Sequence, residues 1–295
     1  MNESRVAGRQ AGDQIRVGLI GQGIGHSRTP GMHMAEGRVH GLEYRYDLLD
    51  TAEMDRPRID DLLERAEAEG YRGLNITHPF KQATIAHLDH LSEEAAAIGA
   101  VNTVIFEKRR RLGHNTDYWG FRRSLEVALP DANRSRVLLL GAGGAGGAAA
   151  KALLDVGVDH LEIYDISTDL ASRLSKALGE HRGRDRVCPC LGLENAARHA
   201  TGIVNATPVG MAGHPGTPLP TDCLQPHQWI ADIIYFPLET ELLAQARARG
   251  CETMDGSAMA VLQAARAFEL FTGRKANHIR MRATFDSFGQ GGVAP

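Results

Sequence analysis

Arg136–Gly157 reads RVLLLGAGGAGGAAAKALLDVG. A short buried strand, Arg136–Leu140, runs into a glycine turn, and an alanine-rich helix leaves the turn and stops at Gly157. Gly141, Gly143 and Gly146 satisfy G-x-G-x-x-G. Alone that pattern is weak, because a glycine-rich helix–strand contact looks the same. Here it follows a strand and opens a helix, which is the setting a dinucleotide pyrophosphate needs. The glycines permit a tight turn and close backbone approach. The helix N-terminus offers free N–H groups and a partial positive charge. Gly144 and Ala145 complete the candidate cradle. Asp165 closes the next strand, HLEIYD, 24 residues after Gly141. A carboxylate there accepts a hydrogen bond from a ribose 2′-hydroxyl and repels a 2′-phosphate. Ile166 and Ser167 offer no arginine for such a phosphate, and Arg173, one helical turn on, is expected to face solvent. The cofactor expected is NAD rather than NADP.

Strands and helices alternate on either side of this unit. Upstream, IRVGLIG, YRYDLLD, GLNIT and AVNTVIF read as strands. Helices are expected over MHMAEGRVHG, over IDDLLERAEAEG, and from NTDYWGFRRSLEVAL up to Pro130. Downstream, ASRLSKALG and LETELLAQARARG read as helices, and GIVNATP, WIADIIY and CETMDG as strands. SAMAVLQAARAFELFTG is a closing helix, with a short helix after it. This alternation predicts an α/β fold with mostly parallel sheets in two lobes and a cleft between them. The expected division is an α/β substrate-binding and catalytic domain over residues 15–118, completed by helices within 257–288. A Rossmann-type dinucleotide-binding domain is expected over 119–256, with flexible tails at 1–14 and 289–295.

Composition excludes several classes. Hydrophobic residues make up 43% of the 295-residue chain and charged residues 23%, the profile of an ordinary globular protein. With a net charge of -3, nothing calls for nucleic acid or an anionic membrane as partner. The basic run Lys108–Arg111 reads as a solvated turn between strands. No segment reaches the roughly 18 apolar residues that span a bilayer. The first residues, MNESRVAGRQAGDQ, lack the apolar core of a signal peptide. Cys188 and Cys190 form C-P-C, while Cys223 and Cys251 stand apart. That spacing suits neither a disulfide framework nor a zinc site, so no metal is expected. Reduced thiols in a cytoplasmic protein are the expected state.

The upstream lobe gathers polar residues where its strands end. GIGHSRTPGMH supplies Ser27 and Thr29, and GLNITHPFKQ supplies Asn75, Thr77 and Lys81. AVNTV and HNTDYWG supply Asn102, Asn115 and Asp117. Strand ends are where open α/β sheets bind ligands. Singly, each has an ordinary structural role. Ser27 and Thr29 suit turns or caps, the asparagines suit strand ends, and Asp117 suits a helix N-cap. Jointly, hydroxyls, amides, a lysine and an aspartate suit a small polyhydroxylated substrate.

With these stretches in view, the chain resembles the shikimate dehydrogenase family, and within it the NAD-using quinate/shikimate branch. The matching motifs are HSRTP, LNITHPFKQ, GAVNTV, HNTD, GAGGAGGA, NATPVGM and DGSAMAVLQAA, in the family's order from about Ile15 to about Phe285. The resemblance implies Lys81 and Asp117 as the catalytic pair. It implies Ser27 and Thr29 as the hydroxyls for the substrate carboxylate. Thr29 stands where enzymes dedicated to shikimate commonly carry serine. It implies Asn75, Thr77 and Asn102 around the ring hydroxyls and carboxylate, with Tyr235 near the lobe interface and Gln263 reaching in from the C-terminal helix. Asn205, Ala206 and Thr207 match the loop beside the nicotinamide. Asp165-Ile166-Ser167 departs from the Asn-Arg-Thr of NADP users, in agreement with the ribose argument. Ala258, after Ser257, replaces a glycine common near the nicotinamide.

The activity so implied is reversible NAD-linked oxidation of the C3 hydroxyl of quinate or shikimate, by a monomer or a homodimer. The cofactor takes the hydride and the protein handles the proton. Desolvation in a cleft favours a neutral amine that accepts a proton, and a neighbouring carboxylate favours the ammonium. The residues alone leave Lys81 as either the base or an electrostatic stabiliser of the alkoxide. Two alternatives stand beside this reading: an aminoshikimate or related cyclitol-acid dehydrogenase, and a non-catalytic NAD-binding sensor on the same fold.

Overall fold

Two six-stranded sheets organise the protein, which is described by a computed structural model over residues 14–182 and 186–288. The expected tails over 1–13 and 289–295 lie outside the described residues. Gln14, also expected in the tail, instead opens the first strand, and its Nε2 donates to Glu43 Oε1 at 3.1 Å. Among the described residues, no helix is long and apolar enough to cross a membrane.

The first half runs β1 (Gln14–Gly21), α1 (Thr29–Val39), β2 (Glu43–Asp50), α2 (Ile59–Ala68), β3 (Gly73–Ile76), β4 (His90–Leu91), α3 (Glu93–Ile98), β5 (Thr103–Glu107), β6 (Arg110–His114) and α4 (Thr116–Ala128). The strand order is β2-β1-β3-β5-β6-β4. β1 pairs parallel with β2 and β3, as expected. β5 runs antiparallel to both β3 and β6, so this sheet is mixed rather than simply parallel. The cause is a two-residue hairpin turn in which Lys108 and Arg109 both take positive φ, 50° and 63°. Glycine or asparagine usually occupies such positions, so the sequence marked a turn between strands here but not a tight hairpin. The basic run is also not wholly solvated. Arg111 lies in β6 and donates from Nε to Glu67 Oε2 at 2.9 Å, with 17% of its side chain exposed.

The second half runs β7 (Arg136–Leu140), α5 (Gly144–Asp155), β8 (His160–Tyr164), α6 (Thr168–Arg182), β9 (Val187–Pro189), α7 (Leu193–His199), β10 (Gly202–Asn205), β11 (Trp229–Asp232), α8 (Glu241–Ala248), β12 (Glu252–Met254), α9 (Ser257–Thr272) and α10 (His278–Ser287). Its sheet is entirely parallel, ordered β12-β11-β10-β7-β8-β9. That is the Rossmann arrangement, with the topological switch between β7 and β10. Successive side chains of RVLLL point to opposite faces. Val137 and Leu139 pack with Ala148, Ala149 and Leu153 of α5, while Leu138 and Leu140 pack with Ile203, Ile230 and Leu243. Both faces are covered, so the strand reads as one continuous apolar run.

The last two helices pack on the first sheet rather than the second. Phe271 of α9 joins Val17, Leu19, Tyr46 and Ile105, and Phe285 of α10 packs with Met32 of α1 and Ala260 and Ala264 of α9. This return brings Gln263 to the C-terminal ends of the first lobe's strands.

Candidate active site

Lys81 reaches the cleft through a short, well-fixed turn. Thr77 N–H donates to Ile20 C=O at 2.9 Å as β3 ends, and Phe80 N–H donates back to Thr77 C=O at 2.9 Å. The His78–Pro79 peptide within the turn is cis. Val101 N–H then donates to Lys81 C=O at 2.8 Å and holds the backbone of the lysine. Its Nζ donates to Asp117 Oδ2 at 2.6 Å, with 18% of the lysine and 11% of the aspartate side chain exposed. A charge-assisted bond this short and this sheltered is strong.

Asp117 does not cap its helix. Asn115 is the N-cap of α4: its Oδ1 accepts from Tyr118 N–H at 3.1 Å, and its Nδ2 donates to Ala100 C=O at 2.9 Å. Asp117 stands two residues on, in the first turn, and its carboxylate is left for Lys81. The capping role that would also suit Asp117 belongs instead to Asn115.

The other polar residues form one buried network. Asn75 Oδ1 accepts from Tyr46 Oη at 2.8 Å, and Asn75 Nδ2 donates to Thr103 Oγ1 at 2.9 Å. Asn102 Oδ1 accepts from Thr116 N–H at 2.7 Å and from Thr103 Oγ1 at 3.1 Å, and its Nδ2 donates to Thr116 Oγ1 at 3.0 Å. Thr116 Oγ1 in turn reaches Gln263 Oε1 at 3.4 Å. Buried amides with their partners in place hold fixed orientations. Ser27 and Thr29 sit half-buried where α1 begins, and Thr29 N–H points to Ser27 Oγ at 3.4 Å. Tyr235, on the loop after β11, keeps 39% of its surface exposed. Desolvation pushes that phenol's pKa up, the Asp117 charge adds to the rise, and Arg28 opposes it. Tyr235 thus lies within electrostatic reach of Asp117.

On the other side of the cleft, Gly141 takes φ +98°, and a Cβ there would sit 2.9 Å from Ala206 C=O. Asp165 follows β8 directly and accepts from Ala142 N–H at 2.7 Å and Ser167 N–H at 2.8 Å. These bonds join the end of β8 to the glycine turn. Ile166 is 95% exposed, and Arg173 pairs with Asp169 at 3.0 Å with 67% of its side chain exposed, so Arg173 faces solvent as expected. Asn205 is fully buried and shapes its loop from within. Its Oδ1 accepts from Thr207 N–H at 3.0 Å and Thr207 Oγ1 at 2.7 Å, and its Nδ2 donates to Val209 C=O and Asp232 Oδ1. Asp232, which the sequence did not single out, is wholly buried, and burial raises its pKa.

The two lobes meet at one point of special interest. A Cβ on Gly144, the first residue of α5, would lie 3.2 Å from Lys81 Cδ. The lysine stem therefore passes against the glycine turn. The positive-φ turn at the sheet's switch point, the free N-terminus of α5 and the acid at the end of β8 fit a dinucleotide.

The comparisons agree. Residues 19–104 match the model of the shikimate dehydrogenase substrate binding domain. The chain is 49% identical over 279 residues to a quinate/shikimate dehydrogenase (NAD(+)) of Corynebacterium efficiens, covering 92% of this chain and 98% of the relative. The chain belongs to the shikimate dehydrogenase family. A second member, the shikimate dehydrogenase (NADP(+)) of Streptomyces avermitilis, is also 49% identical, over 92% of this chain and 94% of its own. The structure of quinate dehydrogenase from Corynebacterium glutamicum in complex with NAD superposes with a TM-score of 0.87 at 46% identity, over 93% of this chain and 99% of that one. Members of equal likeness thus carry different dinucleotides in their names. Family membership gives a dehydrogenase with an NAD(P)-type cofactor, and the choice between the two rests on residues.

Sequence reasoning passed over Tyr46, Thr103 and Thr116 in the site. Thr116 lies inside the HNTD motif, so a signal for it existed. Tyr46 is one of the inward positions of β2, and nothing local marks Asn75, two strands away, as its partner.

Proposed function

We propose that this protein catalyses the reversible NAD-linked oxidation of the C3 hydroxyl of quinate and shikimate, giving 3-dehydroquinate and 3-dehydroshikimate. The observation that carries this reading is the 2.6 Å Lys81–Asp117 pair lying against the Gly144 turn. NAD, when bound, supplies the hydride acceptor. Lys81 and Asp117 act as one unit toward the proton, since a short charge-assisted hydrogen bond joins them. The pair receives the proton leaving the substrate hydroxyl, and Lys81 Nζ holds the developing negative charge on that oxygen. Ser27, Thr29 and Tyr235 receive the substrate carboxylate, and Asn75, Thr77, Asn102 and Gln263 orient the ring. Their buried network keeps these groups from reorganising during the reaction.

NAD is favoured over NADP by Asp165, whose carboxylate would repel a 2′-phosphate, and by Ile166, which gives such a phosphate no partner. Residues 15–118 with 257–288 serve as the substrate-binding domain, and 119–256 as the dinucleotide domain.

The test is initial-rate reduction of NAD and of NADP, each with quinate and with shikimate. Turnover of both acids with NAD strongly preferred is expected. Turnover of shikimate alone with NADP would overturn the roles given to Asp165 and Thr29. Silence with all four pairs would favour an amino-substituted substrate or a binding role.

A further inference from the structure

Arg28 stands between the two hydroxyl residues Ser27 and Thr29, and its side chain meets Phe285 of α10 and Phe236 of the loop after β11. Its guanidinium carbon lies 4.6 Å from the ring centre of Phe285 and 5.9 Å from that of Phe236. Its Nη1 donates to Phe285 C=O at 3.2 Å. Among the described residues, no carboxylate pairs with it. Half-buried arginine without an acidic partner is unusual, because desolvating the charge costs energy that a partner normally offsets. Here the faces of two aromatic rings and one carbonyl stand in for the acid.

Both phenylalanines bear on Tyr235. Phe236 is its covalent neighbour, and the Phe285 ring meets the Tyr235 ring edge-on at 6.1 Å. Phe285 is fully buried against α1 and α9, whereas Tyr235 and Phe236 are 39% and 51% exposed. Leu238, further along the same loop, packs on that first-lobe cluster too. The loop after β11 thus leaves the second sheet, crosses the interface and is caught on the first lobe. Arg28 is the polar element of that catch. Its charge also reaches the Tyr235 phenol, as the opposing influence on that group's pKa indicates.

We propose that Arg28 is a positioning residue: it clasps Phe236 and Phe285 from the first lobe and so holds Tyr235 at the cleft for the carboxylate of the substrate acid. This rests on the activity proposed above. A cation fixed across the interface does two things for an anionic substrate. It keeps the phenol aimed at the carboxylate, and it keeps positive potential near an otherwise neutral set of hydroxyls. Neither effect touches the glycine turn on the far side of the cleft.

The experiment compares Arg28→Met, Arg28→Lys, Tyr235→Phe and the double variant Arg28→Met/Tyr235→Phe. Each is measured for KM of the acid, kcat, dinucleotide Kd by fluorescence, and melting temperature. Arg28→Met keeps the apolar stem and is expected to raise KM about tenfold, with kcat within about threefold and dinucleotide Kd unchanged. Arg28→Lys keeps the charge, loses the planar stack, and is expected to recover part of the KM. On the Tyr235→Phe background, Arg28→Met is expected to add less than about twofold, because both variants remove the same function. An unchanged KM in Arg28→Met, or KM effects of the two residues that multiply, overturns the proposal. If Arg28→Met lowers the melting temperature, Arg28→Lys decides: a KM equal to wild type in that variant, with normal melting, overturns the stacking role. A wild type inactive toward both acids overturns the parent reading and this one together. An active wild type with an unmoved KM overturns only the role of Arg28.

Discussion

Asn115 and Asp117, two residues apart, divide two tasks that either could perform. A capping side chain must reach back to the first free N–H groups of the helix, and Asn115 does so with one end of its amide while anchoring Ala100 with the other. Asp117, in the first turn, is thereby free to face Lys81. A comparable division holds at Asp165, which braces the glycine turn through Ala142 N–H and the following turn through Ser167 N–H. On the proposed function, its negative charge is what discriminates between the two dinucleotides. Replacing Asp165 by Asn together with Ile166 by Arg keeps an acceptor, removes the charge and adds a fork-shaped donor at an exposed position. The expected result is a rise of about tenfold or more in the NADP-to-NAD ratio of kcat/KM, the equivalent of one good charged contact. Steady-state rates with both cofactors measure it, and an unmoved ratio would remove this strand end from cofactor choice.

The elements were legible in proportion to their length and repeat. β7, the glycine turn and α5 carry a long apolar run, special glycines and a helix in sequence, and they fold as read. β4 has two residues and β9 three, the latter with Pro189 on a sheet edge, so neither offers a period to detect. α7, with seven residues, is equally short. The turn after β5 was legible but its tight hairpin geometry was not, because Lys108 and Arg109 are not the residues that positive φ favours. Thr103 and Thr116 lie inside quoted motifs and could have been read, whereas Tyr46 and Asp232 meet Asn75 and Asn205 only through strands 27 or more residues away. The turn itself yields a direct test. Gly141→Ala places a Cβ in a positive-φ backbone and within 2.9 Å of Ala206 C=O. Strain and contact together are expected to cost about 1–3 kcal/mol of stability and to weaken dinucleotide binding. Thermal melting and fluorescence titration read these separately, and unaltered dinucleotide affinity would contradict the close-approach role.

At the scale of the whole molecule, the chain's end closes its beginning. Glu36 of α1 is buried, which pushes its carboxyl pKa up, but Arg280 and the Asn277 N–H of the α10 start outweigh burial and hold the pKa below its usual value. Behind this latch lies His33, fully buried, with Nδ1 2.9 Å from Tyr44 Oη and the rings of Tyr46, Phe268 and Phe271 around it. Burial lowers its pKa to about 3. The unfolded chain binds a proton there near pH 6.5, the folded chain only near pH 3. Stability from the neutral ring is therefore full above the unfolded pKa and is lost as pH falls from there toward the folded value. At about pH 4.5 the loss amounts to about 3 kcal/mol. His33→Gln, which cannot titrate, is expected to lose that much less than wild type between about pH 7.5 and 4.5 in urea unfolding. Parallel pH curves for the two would contradict it.

The lobes also meet at Lys81, whose Nζ holds Asp117 while its stem rests on the first turn of α5. On the proposed mechanism this lysine handles the proton and does not merely brace the interface. Lys81→Met preserves the stem and deletes the charge, so its kcat for quinate and shikimate, taken with its dinucleotide Kd, separates the two roles. A fall in kcat of about 10²–10⁴-fold with Kd unchanged is expected. A kcat near wild type, or a loss matched by equal loss of dinucleotide binding, would contradict it.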